Sequence, residues 1–223
     1  MKNAIVSLSG GMDSTTVLGW LLANDYCVRR TVGFFYGSKH NPYELKAAQD
    51  VACHYGVPYH QIDLSDAMHG FRSALMSSGG AIPEGHYTDA SMSQTVVPGR
   101  NIIFLSLLAG LGWSLTEDEG CVIGIGIHQG DHAIYPDCRD SFFKAMGIAL
   151  WEGTDGRIQL EAPFLAMDKQ GILEWGLANG VPYNLTRTCY TDQPVACGKC
   201  GSCVERLEAW TLVGQPDPVG YAT

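Results

Sequence analysis

The sequence predicts an α/β fold in which a parallel sheet is covered by helices. Short apolar or β-branched runs (Ala4-Ile5-Val6, then residues 28–36, then 57–64) alternate with segments of helical periodicity. Their spacing leaves room for crossover helices rather than hairpin turns. A later run, Cys121 to Ile127, is apolar throughout, as a strand buried on both faces must be.

Each element has a local reason. Thr16 to Ala23 carries apolar residues at helical spacing directly after the first strand. Asn41-Pro42 opens a second helix, with Pro in its first turn, and Gly56 closes it. Residues 65–97 hold Gly79-Gly80, Pro83 and Gly85, and predict a long loop that is mobile or a lid, with a short helix over 66–76. Ile102 to Leu111 is apolar on nearly every face and predicts a buried helix. A helix over 140–151, a turn at 152–156 and a fifth strand at 158–160 follow. Asp168 is placed to cap a last sheet-covering helix, Lys169 to Asn179, which stops at Gly180. This divides the chain into an α/β domain, 1–180, and a C-terminal segment, 181–223.

The chemistry begins at the first turn, Ser7-Leu8-Ser9-Gly10-Gly11-Met12-Asp13-Ser14-Thr15. Adjacent glycines let the backbone take positive φ and approach a ligand closely. Hydroxyls and the free N–H groups of a helix start make an anion site. Asp13 would repel a bare phosphate, and suits one bridged by a divalent cation. The Gly-Lys-Ser/Thr ending of the common P-loop is missing. Ser-Gly-Gly-x-Asp-Ser instead resembles the pyrophosphate loop of ATP pyrophosphatases. The blander alternative is an ordinary strand–helix turn.

The chain has 14 Lys and Arg against 23 Asp and Glu, a net charge of −9, with no basic run. That argues against broad nucleic-acid binding, whose affinity needs a basic face. No apolar stretch approaches the ~18 residues of a membrane span, and Met1-Lys2-Asn3 leads straight into a strand, so no signal peptide or membrane partner is expected. Eight cysteines without a secretory signal point to reduced thiols or metal ligands and to the cytoplasm.

Cys189, Cys197, Cys200 and Cys203 follow C-x7-C-x2-C-x2-C, with Gly198 and Gly201 permitting tight turns. Four thiolates at this spacing suit one closed, structural Zn2+ site per chain; an iron–sulfur cluster is the rival, and a metal-free thiol or disulfide cluster a third reading. Cys27, Cys53 and Cys121 sit among apolar neighbours and predict core positions, and Cys138 a packing role.

Taken together, Ser9-Gly10-Gly11-Met12-Asp13-Ser14, Tyr36-Gly37-x-Lys39-His40 with Glu44, Val97-Pro98-Gly99-Arg100-Asn101, Tyr135-Pro136-Asp137-Cys138-Arg139, and Thr188-Cys189-Tyr190 with the cysteines resemble the 7-cyano-7-deazaguanine synthases, the QueC family. The matches run from residue 7 to 203. The resemblance implies a Rossmann-like fold of the adenine-nucleotide alpha-hydrolase kind, a bound Zn2+ and a homodimer. It implies conversion of 7-carboxy-7-deazaguanine, ammonia and ATP into 7-cyano-7-deazaguanine. The chain departs from the family pattern at His128, where Asn is common, and at His132-Ala133-Ile134, where Tyr-Ser-Gly is common.

On that footing Leu8, Ser9, Gly10, Gly11, Met12, Asp13, Ser14, Thr15, Lys39 and Arg100 are the candidate ATP contacts, with Mg2+ on Asp13. Asp13, Ser14, Arg100 and Arg139 are the candidate catalytic residues. Tyr36, His40, Asp131, Asp137 and Arg139 are the candidate substrate contacts, and Lys169 a weaker one. Asp137 has a second reading as helix cap, Arg139 as a salt-bridge partner, and Lys169 as a solvated lysine. Rival functions are a variant that stops at the amide or uses another acceptor, a tRNA sulfurtransferase, an NAD-synthetase-like amidotransferase domain, and a non-catalytic zinc module. The acidic balance opposes the tRNA enzyme, and the glycine loop opposes the last.

Overall fold

The computed structural model describes residues 1–222, with the backbone alone for residue 118. In chain order the elements are β1 (Asn3–Ser7), α1 (Met12–Ala23), β2 (Cys27–Phe35), α2 (Asn41–His54), β3 (Tyr59–Asp63), α3 (Arg100–Thr116), β4 (Cys121–Gly124), α4 (Asp140–Gly153), β5 (Ile158–Glu161), α5 (Lys169–Ala178) and α6 (Gly201–Leu212). The five strands form one sheet in the order β3-β2-β1-β4-β5, all neighbours parallel.

β1 shows how the layers form. Ile5 enters one apolar cluster, with Phe34, Phe104, Leu105 and Leu108, beneath α3 and α4. Ala4 and Val6 enter the opposite one, with Val17, Leu18, Leu21 and Val51 of α1 and α2. Successive strand residues face opposite sides, so a strand covered on both faces is apolar at every position. Each such fully buried Val, Leu or Ile contributes about 1.5–3 kcal/mol.

The strand order reverses direction between β1 and β4. The chain leaves β1 toward β2 on one side and reaches β4 on the other, which opens a crevice at the carboxyl ends of this pair. The loop after β1 and residues 125–127 after β4 both enter it.

Several expectations are corrected. Residues 66–76 form turns, not a helix. The long loop is packed rather than loose: Met68, Leu75, Met76, Tyr87 and Met92 are buried, and a short 3-10 helix spans Ala90–Thr95. Burying these side chains stabilises a path that Gly and Pro spacing alone does not describe. α3 is not buried all round. Phe104, Leu105 and Leu108 face the sheet, whereas Ile102, Leu107 and Trp113 are exposed. β4 ends at Gly124, where its ladder partner β5 ends at Glu161. Cys53 is exposed and is no core residue.

Residues on both sides of position 180 share one core, in which Met12 and Leu173 pack with Val181, Tyr183, Ala209 and Trp210. The tail is held by Arg206, 1% exposed, whose Nε and Nη2 donate to Asp217 Oδ2 and Oδ1 at 2.6 and 2.8 Å. No described helix is long and apolar enough to cross a membrane.

Candidate active site

The loop after β1 is held by its own hydroxyls. Ser9 N–H donates to Ser14 Oγ at 3.2 Å, the two serine hydroxyls lie 3.1 Å apart, and Gly11 N–H donates to Ser9 Oγ at 3.2 Å. Gly11 precedes α1 without a side-chain cap, so the helix presents N–H groups to the crevice. Gly10, at φ +83°, passes so close to α2 that a Cβ would stand 2.5 Å from Glu44 O and Ala48 N. Gly126, leaving β4, does the same for α1, where a Cβ would stand 2.7 Å from Ser14 N. Bare backbone at these two points lets both loops reach the crevice.

Ser9, Gly11, Met12, Asp13, Ser14 and Leu8 line a single pocket with Tyr36, His40, Arg100 and Asp131. Gly10 shapes this loop from behind. Thr15 is fully buried beneath it in the body of α1. Arg100 opens α3 after Gly99, which takes φ +65°. Burial works against its charge, but Tyr36 and then Cys138 and Asp137 hold the guanidinium protonated.

Three expected residues lie elsewhere. Lys39 Nζ donates to the carbonyls of Ala74, at 2.9 Å, Gly79 and Gly80, so it braces the long loop instead of facing the pocket. Arg139 is exposed, with Nε donating to His132 O at 2.9 Å, and does not line the pocket. Asp137 caps a helix, but not the one that follows it. Its Oδ2 accepts from Asn101 N–H at 2.9 Å, at the start of α3, and its carbonyl accepts from Asn101 Nδ2 at 2.9 Å. A partner 36 positions away cannot be read from local spacing.

Lys169 is buried, not solvated. Its Nζ donates to Asp13 Oδ1 and Oδ2 at 2.8 and 2.7 Å and lies 3.2 Å from Glu205 Oε2. Burial opposes the Asp13 charge, yet Lys169 and then His128 hold its carboxyl below the usual range. Glu44 meets the opposite balance, since burial pushes it up to about 7 against the pull of Arg100 and Arg187. Burial, then Arg100, pushes His40 down to about 3, so its ring is neutral. His40 Nε2 lies 3.3 Å from Tyr36 Oη and 3.4 Å from Glu44 Oε2. Cys138 is buried, and desolvation followed by Asp131 raises its thiol, which fits packing rather than nucleophilic duty.

Sequence reasoning passed over Arg187 and Glu205, which line the pocket, and noted His128 only as a departure from the family pattern, although its Nε2 lies 4.0 Å from Asp13. Arg187 N–H donates to Gly10 O at 2.8 Å, and its guanidinium lies over Tyr43 at 4.6 Å. The one local signal was a charged residue two positions before Cys189; Glu205 on a cysteine-bearing helix gave none.

The four cysteine sulfurs lie within 4.8 Å of one another, and those of Cys197 and Cys203 are 4.0 Å apart. Backbone N–H groups of Cys197, Lys199 and Cys200 donate to the Cys189 and Cys197 sulfurs at 3.3–3.4 Å. Hydrogen bonds from Cys200 and Cys203 hold the Cys189 thiol far below its usual range. Four sulfurs in a set this compact can hold one metal ion.

The family model for queuosine biosynthesis protein QueC matches residues 3–214. This chain belongs to the QueC family. Relatives of the family member described here include the 7-cyano-7-deazaguanine synthase of Caldicellulosiruptor bescii, 44% identical over 218 residues, which cover 98% of this chain and 96% of that protein. Another is the 7-cyano-7-deazaguanine synthase of Marinobacter nauticus, 43% identical over 219 residues, covering 98% and 97%. The 7-cyano-7-deazaguanine synthase 2 of Colwellia psychrerythraea is 43% identical over the whole of both chains. Among solved structures, the U34-tRNA thiolase NcsA of Methanococcus maripaludis, with its [4Fe-4S] cluster, aligns at TM-score 0.51 and 14% identity. It covers 96% of this QueC-family chain and 64% of the other, a likeness of fold alone.

Proposed function

We propose that this chain is an ATP-dependent ligase that converts 7-carboxy-7-deazaguanine and ammonia into 7-cyano-7-deazaguanine. One observation carries the reading: the anion-binding loop after β1 opens into the same pocket as Arg100 and the aromatic walls Tyr36, Phe104, Tyr87 and Tyr190. A planar heterocycle and a triphosphate can therefore share one site. Relatives at 40–44% identity are 7-cyano-7-deazaguanine synthases, which supports the product.

The chemistry follows from charge. A carboxylate resists ammonia because oxide would have to leave. Attack of its oxygen on the α-phosphorus of ATP expels pyrophosphate and gives an acyl adenylate. Ammonia then forms a C–N bond as AMP and a proton leave, giving the amide. A second adenylation on the amide oxygen expels pyrophosphate again, and AMP and both N–H protons then depart, giving the nitrile. In each round Ser9, Gly11 and Ser14, with the α1 N-terminus, receive the pyrophosphate, and Arg100 balances its growing charge. Asp13 carries unused lone pairs beyond those taken by Lys169 and is the group to hold Mg2+, which supplies further charge neutralisation when bound. Tyr36 and neutral His40 face the ring.

We assign Zn2+ to the four cysteines. Thiolates about 2.3 Å from one tetrahedral ion lie ~3.8 Å apart, close to the 4.0 Å of Cys197 and Cys203, whereas thiolates on separate irons would be spread wider. With four protein ligands the site is structural. Ile102, Leu107 and Trp113 of α3, with Ile148 and Trp151 of α4, form an exposed apolar face that suits a homodimer in a reducing cytoplasm.

The test is a product assay. Purified protein receives ATP, Mg2+, ammonium and 7-carboxy-7-deazaguanine, and mass spectrometry counts product against AMP. Nitrile with two AMP per product is expected. Amide with one AMP would confine the chain to the first half, and ATP cleavage without either product would discard the substrate.

A further inference from the structure

Resting on that reaction, we infer that His128, Asp131 and Glu205 form the binding site for the nitrogen substrate, and that it takes neutral ammonia. His128 follows β4 at the crevice and is 1% exposed. Its Nδ1 accepts from Gly130 N–H at 3.0 Å, which places the proton of the neutral ring on Nε2. That Nε2 finds no hydrogen-bond partner among the described residues. It faces Asp131 Oδ2 at 3.6 Å, Glu205 Oε1 at 3.8 Å and Asp13 Oδ2 at 4.0 Å.

These separations are too long for direct hydrogen bonds and short enough for one small molecule, about 2.8 Å from each group, to join them. The neighbouring contacts define what that molecule must offer. Asp131 Oδ1 already accepts from Tyr87 Oη at 3.0 Å, and Glu205 Oε2 and both Asp13 oxygens face Lys169. Asp131 Oδ2 and Glu205 Oε1 remain as acceptors, and His128 Nε2–H as donor. The ligand must accept one hydrogen bond and donate at least two. Ammonia, with one lone pair and three N–H bonds, meets this. Ammonium has no lone pair and would oppose the His128 N–H, and the Lys169 ammonium already occupies the cation's place in the cluster. A divalent cation at His128 meets the first objection, since it has no lone pair to take the Nε2–H.

Gly130 borders the cluster. A Cβ there would stand 2.7 Å from His128 Cε1 and 2.8 Å from Glu205 Oε1, so a side chain at this position would displace both groups. Asp131, expected from sequence at the edge of the ring, serves the nucleophile instead. Because Asp13 belongs both to this cluster and to the phosphate loop, the nucleophile is held against the centre where AMP leaves.

The experiment compares wild type with Gly130→Ala, His128→Leu and Glu205→Gln. Michaelis constants for total ammonia and for ATP are taken at two pH values, so that free ammonia and ammonium vary separately. Exchange of labelled pyrophosphate into ATP with 7-carboxy-7-deazaguanine, without ammonia, reports adenylation alone. The expected result is a KM for ammonia raised at least tenfold in Gly130→Ala and His128→Leu, against less than twofold for ATP, with wild-type KM tracking free ammonia. An unchanged ammonia KM, or ammonia and ATP constants rising together, would overturn the site. A second readout needs neither ATP nor the acid: the 15N resonance of labelled ammonia, broadened by wild type and not by Gly130→Ala. Equal widths mean the cluster holds water only, which also overturns it. Absence of exchange in wild type counts against the deazapurine reading, and the 15N line still decides the site.

Discussion

Lys169 holds both carboxylate oxygens of Asp13, at 2.8 and 2.7 Å, across 156 positions of sequence. The first residue of α5 thereby fixes the phosphate loop that begins α1. A buried lysine is stable here only because Asp13 and Glu205 surround it; burial works against its charge, and the two carboxylates overcome that.

Lys169→Met should therefore destabilise the protein by about 3–5 kcal/mol, because it strands a carboxylate in the crevice. For a chain of this size that lowers Tm by on the order of 10 °C. Calorimetry checks it. A fall under 2 °C would show that the loop does not depend on the pair.

Arg100→Ala should reduce pyrophosphate exchange by about 10²–10³, the usual cost of removing a group aimed at developing charge. Thermal stability should change much less than for Lys169→Met. A loss of only a few-fold would remove Arg100 from the phosphate site.

Glu44 gives a pH dependence of defined sign. Its carboxyl is pushed up to about 7 from an ordinary 4.5, so the folded state keeps its proton where the unfolded chain has released it. Stability from this group is full below about 4.5 and is lost as pH rises toward about 7, by on the order of 3 kcal/mol. Urea titrations at pH 5 and pH 8 should show that slope in wild type and a shallower one in Glu44→Gln.

Removing the metal should loosen the tail before the sheet. Cys200, 1% exposed, ends the turn from which α6 starts, and α6 carries Glu205. Chelation, or Cys200→Ser, should speed amide exchange over 189–217 while β1 and β4 stay protected. Metal analysis of wild type should return one zinc per chain.

In sedimentation equilibrium wild type should run as a dimer, and Trp151→Asp together with Ile148→Asp should yield a monomer. Both residues are exposed, at 44% and 66%, so folding should survive the change.

Much of this architecture was legible from local pattern. The five strands and their covering helices follow from apolar runs and periodicity, and Asp168 caps α5 as expected, accepting from Gly171 N–H at 2.8 Å. The glycine-serine loop that lines the pocket and the clustered cysteines were visible because each is a contiguous motif whose geometry depends on near neighbours. The long loop and the exposed side of α3 were misread because burial there is decided by what covers a segment, not by its own composition.

What the sequence by itself determined is the α/β class, the glycine-serine loop at Ser9–Ser14, a cysteine cluster able to hold a metal, and the family. What only the tertiary structure decided is how the site's charges are paired: Asp137 to Asn101, Lys39 to loop carbonyls, Lys169 to Asp13, and His128 facing Asp131 and Glu205. The reason is physical. Hydrophobic periodicity acts over a few residues and marks each element, whereas electrostatic partners in a parallel sheet come from loops far apart in sequence that meet only at the carboxyl ends of β1 and β4.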